Sequence, residues 1–487
     1  MVYFLGIDLG GTVNKAGIYD TKGNEISICE HKAKLIASHE GFAERDMLDL
    51  YNSVCMVIKG AIAKANIKSD DILGVSFSSH GKGLYTIDKD GKPVINGILS
   101  SDTRSLDIVK HWIESGTADK AYPMGMQQIW TGHPVSILRW LYENDKEAYD
   151  KIDTIFMVHD YIRYMLTSVR AVEITNISGS NLYNINTSKF DTKLAHIFGV
   201  DDCVEKMPDI IGSTDLCGYI TKKAASDTNL KEGTKVFGGF FDVVAASIAT
   251  GVIDDTALSA TAGTWSIATT VHKNIKKAQH NYIWGNYCIK DLYFVHEGSP
   301  TSASNLEWWR NGILKDIDLD TCNAYVAEHI EKMENTSLFY YPYLFGSNFK
   351  LGQNASLYGL QAHHTQKDII YALYEGIVFS HLINQDKITK ISDNIKTIKM
   401  AGGPTKSIPW MQMFASASNL EVEISPVSQI GCKAAAICAA VGSGFFKDFK
   451  EALSQTHQKG TIIEPNCKLH KYLRERYEKF LEINKIL

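Results

Sequence analysis

"GIDLGGTVNKAGIYD", residues 6–20, decides the reading of this chain. An acidic residue closes one apolar run, two glycines and a hydroxyl follow, and a second apolar run resumes at once. Val2 to Ile7 reads as a buried strand and Lys15 to Tyr19 as a second extended run, so the residues between them form a tight hairpin. Gly10 and Gly11 permit positive φ and leave backbone N–H groups uncovered, as an anion-binding nest requires. Asp8, at the strand end, is placed to hold a magnesium ion beside such an anion. An ordinary Asp and Gly-Gly hairpin explains the same residues, and the rest of the chain has to separate the two readings.

At 487 residues the chain exceeds the roughly 250 to 300 residues at which single cores stop growing, so two domains are expected. A net charge of -5 and a pI near 6.4 give no electrostatic footprint for nucleic acid, and no Lys/Arg block or RNA-reading aromatic motif appears. A small-molecule partner is the expectation, with no nucleic acid. No stretch approaches the ~18 uninterrupted apolar residues of a membrane span, and the first residues enter a strand without a basic leader. The expected location is cytoplasmic, away from the membrane. The nine cysteines (Cys29, Cys55, Cys203, Cys217, Cys288, Cys322, Cys432, Cys438, Cys467) contain no C-x-x-C pair. They read as reduced and mostly buried rather than as a zinc or disulfide framework.

Outward from the hairpin, extended runs at Glu25–His31 and Ile72–Phe77 flank a helix within Met47–Asn66. Antiparallel strands opening a β-then-α series predict a mixed sheet with helices on its faces. The pattern returns at Thr256–Ala262, Trp265–Val271 and Tyr287–His296, followed by a helical segment around Ser302–Asn311. Two hairpin-led α/β units are therefore expected, spanning 1–250 and 251–487, with a ligand cleft between them. Thr365 to Asp386 reads as a helix capped by Thr365 with Asp368 three residues on. Cys432 to Val441 is an alanine-rich helix bracketed by Gly431 and Gly442, able to approach a neighbour closely.

Neither the Walker A spacing nor G-x-G-x-x-G occurs, so phosphate binding must use hairpins. Gly10-Gly11-Thr12, with Lys15 beside it, and Ala262-Gly263-Thr264 are the two candidates, and as a pair they would grip a triphosphate. In "GGFFDVVAASIATG", residues 238–251, Asp242 stands where a helix begins. It is either a cap or a general base that takes the proton of an attacking hydroxyl. "SSHGKGLYTIDKDG" and "SSDTR", from Ser78 to Arg104, place His80, Lys82, Asp102 and Arg104 near strand ends. That polar density suits a hydroxyl-rich ligand, and a solvated loop explains it equally. In "MAGGPTKSIPWMQMFAS", residues 400–416, Gly402 and Gly403 follow a strand at Thr397–Met400 and precede a helix begun near Thr405. They offer a flat surface for a purine.

With these residues in view, the chain resembles the FGGY carbohydrate kinases over its whole length. The motifs fall in family order: the first phosphate motif at 6–20, "GFAERD" (41–46), "SSDTR", "GHPVSILRW" (132–140), "GGFFDVV", "SATAGTWS", "FYYPYLFGSN", "ASLYGLQAHHTQKDIIYALYE" (355–375) and the adenosine motif at 399–416. Ile137 stands where the first family signature usually has Lys, and Gly10-Gly11-Thr12 replaces the usual Gly-Thr-Thr or Gly-Thr-Ser. Where D-xylulose kinases carry Gln-Met-His-Gly, this chain has His80-Gly81-Lys82-Gly83. With "HDYIRYMLT" and "NISGSNLYN", the sequence is most similar to the L-xylulose (3-keto-L-gulonate) kinases.

The resemblance implies an α/β fold of two ribonuclease-H-like domains of the actin and hexokinase type, with a cleft between them. It implies ATP and magnesium as cofactors and a ketopentose or keto sugar acid as substrate. Asp242 would be the base and Asp8 the magnesium residue. His80, Lys82, Asp102 and Arg104 would face the sugar; Gly10, Gly11, Thr12, Lys15, Gly263, Thr264, Gly402 and Gly403 would hold the nucleotide. A homodimer is one admissible assembly. The alternatives are a kinase for D-xylulose, ribulose or a polyol such as erythritol, and a non-catalytic sugar or nucleotide sensor on the same core.

Overall fold

The computed structural model describes residues 1–263, 265–315, 317–347 and 353–487. They form two compact units. The first comprises Met1–Gly251, Lys273–Phe294 and Gln429–His457, and the second Val252–His272, Val295–Ser428 and Gln458–Leu487. The chain thus leaves the second unit twice to complete the first.

In the first unit Tyr3–Leu9 pairs antiparallel with Val13–Asp20, which pairs antiparallel with Glu25–Lys32. On its other side Tyr3–Leu9 runs parallel to Ile72–Ser79, beyond which lie Lys235–Phe237 and Leu216–Tyr219. Alternation sorts the two faces of the sheet. Leu5, Ile7, Leu9, Ala16 and Ile18 share a core with Leu50, Val54, Val57 and Ile58 of the helix Met47–Ala65. Each fully buried leucine, isoleucine or valine among them contributes about 1.5–3 kcal/mol. The alternate positions Gly6 and Gly17 are register partners under the helix Ile430–Gly442. A Cβ on Gly6 would lie 1.9 Å from the Cys432 carbonyl oxygen, so glycine there is what lets helix backbone rest on strand backbone. The small, alanine-rich face of Ile430–Gly442 is the other half of that approach.

The second unit repeats the scheme. Ala257–Ala262 pairs antiparallel with Ser266–His272 and parallel with Thr397–Ala401, which runs parallel to Glu421–Ile424; Thr461–Ile463 closes that edge antiparallel. The helix Gln366–Thr389 begins at Thr365, whose backbone N–H and hydroxyl both donate to Asp368, at 2.6 and 2.7 Å. Arg476, on the helix Cys467–Ile486, is held against buried Glu375 at 2.5 and 2.7 Å.

Two local expectations change. The single run expected at Tyr287–His296 is instead two strands, Ile283–Asn286 and Tyr293–Ser299. Asp291 takes φ +63° between them, and Leu292 N–H closes the turn on Ile289 at 3.2 Å. The helix expected from Thr405 opens as a 3-10 turn, Gly403–Lys406, and becomes α-helical only at Ile408–Ser418. There Ser407 caps by accepting from Trp410 N–H. Six cysteines (Cys55, Cys203, Cys217, Cys322, Cys432 and Cys438) are buried and none of the nine is paired. Among the described residues no helix is long and apolar enough to cross a membrane.

Candidate active site

Asp8 is the last residue but one of the strand Tyr3–Leu9, opposite Lys15 on the hairpin partner and Ser78 on the parallel neighbour. Burial raises its carboxyl, while a hydrogen bond from Ser78 and the charge of Lys15 pull it back. Lys15 Nζ is steadied by Gln429 Oε1 at 3.0 Å. Gly431, which opens the Ile430–Gly442 helix, touches the acid directly: a Cβ there would lie 2.3 Å from Asp8 Cγ.

The glycine turn beside Asp8 is built differently from the expectation. Neither Gly10 nor Gly11 has positive φ, and Gly10 N–H is already bonded to the Val13 carbonyl at 3.1 Å. Gly10 is required for space, since its Cβ would meet Val13 O at 2.7 Å; Gly11 is open. Arg45 Nη2 donates to the Gly11 and Gly10 carbonyls, at 2.7 and 3.3 Å, and so directs the turn's carbonyl oxygens inward. Thr12 is exposed.

After Ile72–Ser79 the chain makes a tight turn through His80–Gly83. Lys82 sits at φ +63° and Gly83 at φ +78°. For a lysine this left-handed geometry costs about 1–2 kcal/mol, and Asn176 holds it, accepting from Lys82 N–H at 3.1 Å. Burial and the neighbouring Arg45 push His80 down to about 3, so its imidazole is neutral. Burial likewise lowers Lys82 to about 8, against the pull of Asp242. Gly81 rests on the Phe241 ring, where a Cβ would come within 2.3 Å.

Asp242 is the first residue of the helix Asp242–Ala249, with Phe241 in the cap position. Asp242 is exposed, and its carboxyl is pushed up to about 7. Surrounding protein contributes most, Asp8's charge adds to it, and Val243 N–H and Lys82 oppose it. Asp8, Lys82 and Asp242 thus form one electrostatically coupled group within the first unit.

Asp102 and Arg104 are brought together with each other. Asp102 accepts from Arg104 N–H and Nε at 2.9 Å, from Arg104 Nη2 at 2.9 Å and from Ala43 N–H at 2.7 Å. Arg104 Nη2 also meets Glu44 at 2.5 Å, and its guanidinium lies 3.9 Å from the Phe42 ring centre and 5.1 Å from that of Trp140. Glu44, Arg45 and Asn176 carried no role in the sequence reading. Their only signal was membership of the quoted segments "GFAERD" and "NISGSNLYN".

In the second unit Ala262-Gly263 and Gly402-Gly403 lie side by side, because Thr261 pairs with Ala401. Gly402 adopts φ +112°, and a Cβ on it would strike Ala262 O at 2.4 Å; Gly263 and Gly403 face open space. Thr405 Oγ1 closes the loop on Gly402 O at 2.7 Å. Thr264 lies outside the described residues. Among the described residues no cluster of three or more His, Cys, Asp or Glu side chains forms a metal cage.

The FGGY family of carbohydrate kinases matches the chain twice, its N-terminal domain over residues 3–249 and its C-terminal domain over 258–443. The chain belongs to this family. As an FGGY kinase it transfers a phosphoryl group to a sugar hydroxyl. It is 38% identical over 479 residues to "L-xylulose/3-keto-L-gulonate kinase" of Escherichia coli, covering 98% of this chain and 96% of that one. It is 39% identical over 490 residues to "Probable L-xylulose kinase" of Pasteurella multocida, covering 100% and 99%. The fold of this FGGY kinase matches that of a ligand-bound xylulose kinase from Lactobacillus acidophilus with a TM-score of 0.93 at 22% identity, covering 100% and 98% of the two chains.

Proposed function

We propose that this sugar kinase phosphorylates the terminal hydroxyl of L-xylulose or 3-keto-L-gulonate, using ATP and magnesium. The observation that carries the reading is the placement of Asp242 at the start of Asp242–Ala249, next to Phe241, whose ring packs on Gly81 of the Lys82 turn, in a chain whose full-length relatives are sugar kinases. A carboxylate with a conjugate acid near 7 suits a general base at neutral pH. Asp242 takes the proton of the sugar hydroxyl as that oxygen bonds to the terminal phosphorus, and the bond to the departing ADP oxygen breaks. Asp8, buried beside Lys15 and Ser78, offers hard carboxylate oxygens, a donor that fits a hydrated magnesium ion held through one protein carboxylate. Held by Asp8, magnesium would supply charge neutralisation of the transferring group. Arg45 orients the Gly10-Gly11 turn, and Thr12 and Lys15 stand beside it for phosphate.

In this reading residues 1–250 carry the sugar and first phosphate motif, and 251–487 the second phosphate and adenosine motifs, with Gly263, Thr264, Gly402 and Gly403 against the nucleotide. His80 offers a neutral ring to the sugar and Lys82 a positive charge or a donor. Asp102 and Arg104, bonded to each other, are assigned to the same sugar. The names of the Escherichia coli and Pasteurella multocida relatives favour the L-xylulose type, and His80-Gly81-Lys82-Gly83 separates this chain from the D-xylulose pattern. Substituting Asp242→Asn is expected to leave sugar and nucleotide binding nearly intact and to lower kcat at least ~100-fold. Near-normal turnover by the folded variant would remove Asp242 from the reaction. In a panel of ketoses, aldoses and polyols followed by ADP release, D-xylulose as best substrate would overturn the sugar assignment alone.

A further inference from the structure

The one-turn helix Ile174–Ile177 joins the two segments on which the proposed chemistry depends. Asn176, buried, accepts from Lys82 N–H at 3.1 Å and donates to the His80 carbonyl at 3.3 Å and to Ser79 Oγ at 3.4 Å. Its neighbour Thr175 accepts from Phe241 N–H at 2.9 Å, one residue before Asp242. The helix is itself anchored by Glu173. That carboxylate receives Thr175 N–H at 2.9 Å, Thr175 Oγ1 at 2.7 Å, Asn176 N–H at 3.2 Å and Ser213 Oγ at 2.7 Å.

We infer that Asn176 and Thr175 are positioning residues, Asn176 fixing the sugar-facing turn and Thr175 the segment that presents Asp242, with Glu173 holding both in one rigid piece. The inference rests on the assignment of Asp242 as base and Lys82 as sugar-facing. Two geometric facts separate it from ordinary packing. Lys82 is held in left-handed backbone geometry that a non-glycine residue leaves when released. The Phe241 N–H, at the helix entrance and opposite Ser79 of the neighbouring strand, donates to the Thr175 side chain at 2.9 Å. Asn176 therefore acts on the site through Lys82 and His80, whereas Thr175 acts through Asp242, and their removal has different kinetic consequences.

The full chain and the variants Asn176→Ala, Thr175→Val, Thr175→Ser and Asp242→Asn are assayed with varied L-xylulose and varied MgATP, with thermal melting in parallel. Asn176→Ala is expected to raise the KM for sugar at least ~10-fold while kcat and the KM for ATP stay within about twofold. Thr175→Val is expected to lower kcat at least ~10-fold with the sugar KM within about twofold, the behaviour of a misplaced reacting group. Thr175→Ser, which keeps the hydroxyl, should recover to within about threefold of the parent. Parallel losses in kcat and KM for Asn176→Ala and Thr175→Val, or a serine variant no better than valine, overturn the inference and leave a purely structural role. So does normal kinetics in Thr175→Val. Asn176→Gln, whose longer amide cannot keep all three bonds, replaces Asn176→Ala if the latter does not fold. Failure of the underlying assignment looks different: Asp242→Asn retains turnover, or the parent chain does not use L-xylulose.

Discussion

Arg104 and Asp102 satisfy one another almost completely. Backbone N–H, Nε and Nη2 of the arginine all donate to the fully buried carboxylate, each at 2.9 Å. Arg104→Met would remove both side-chain donors and strand Asp102 and Glu44 as neighbouring anions. Losing one partner of a buried pair costs about 3–5 kcal/mol. Denaturant unfolding of the variant should show a loss on that scale, larger than for Arg104→Lys, which keeps one charge. A loss below about 1 kcal/mol, the level of an exposed pair, would mean the pair is open to solvent.

Gly431 sets the position of Asp8 from the helix that covers its face of the sheet. Adding a methyl group by Gly431→Ala places carbon within 2.3–2.6 Å of all three carboxyl atoms, so either the acid or the helix must move. A displacement near 1 Å is expected to cut turnover ~100-fold and to weaken the response to added magnesium. Gly11→Ala, which meets nothing within 4 Å, should fold with unchanged melting temperature. Unaltered magnesium titration in Gly431→Ala would show that Asp8 does not hold the ion.

Lys82 loses its proton near pH 8, because burial lowers it from the usual lysine range. The charged form dominates below that pH and fades above it. If the ammonium faces the carboxylate of 3-keto-L-gulonate, the KM for that substrate rises as pH passes 8, while the KM for neutral L-xylulose changes little. Lys82→Met should likewise harm the keto acid more than the neutral sugar, since an unpaired buried charge costs more than a lost neutral hydrogen bond. Equal changes for both sugars would assign Lys82 to a feature they share.

The two glycines of the adenosine motif separate folding from binding. Gly402→Ala demands positive φ of an alanine and drives its Cβ to 2.4 Å from Ala262 O, so a loss of stability is expected by thermal melting. Gly403→Ala has open space and ordinary φ. Its melting temperature should hold while the KM for ATP rises, because the methyl group stands where the purine would lie. An unchanged KM would move the adenine elsewhere.

Much of this molecule was legible along the chain because the signals are local. The alternation that makes Tyr3–Leu9 and Val13–Asp20 a hairpin, the Thr365–Asp368 cap and the alanine-rich helix after Gly431 each need only neighbouring residues, and the motif order carries the family. What the sequence could not determine is whatever arises from distant backbone meeting at close range. Gly10 is glycine for space rather than for positive φ, and in the turn after Ile72–Ser79 left-handed geometry falls on Lys82 and Gly83. Gly431 shapes Asp8, and Asn176 and Thr175 tie Lys82 to Asp242, only because the sheet and its covering helices bring these positions together. Periodicity and caps record which face a residue presents to its own element. Which remote atoms fill that face is decided by packing, where a single Cβ or one hydrogen bond separates the arrangements.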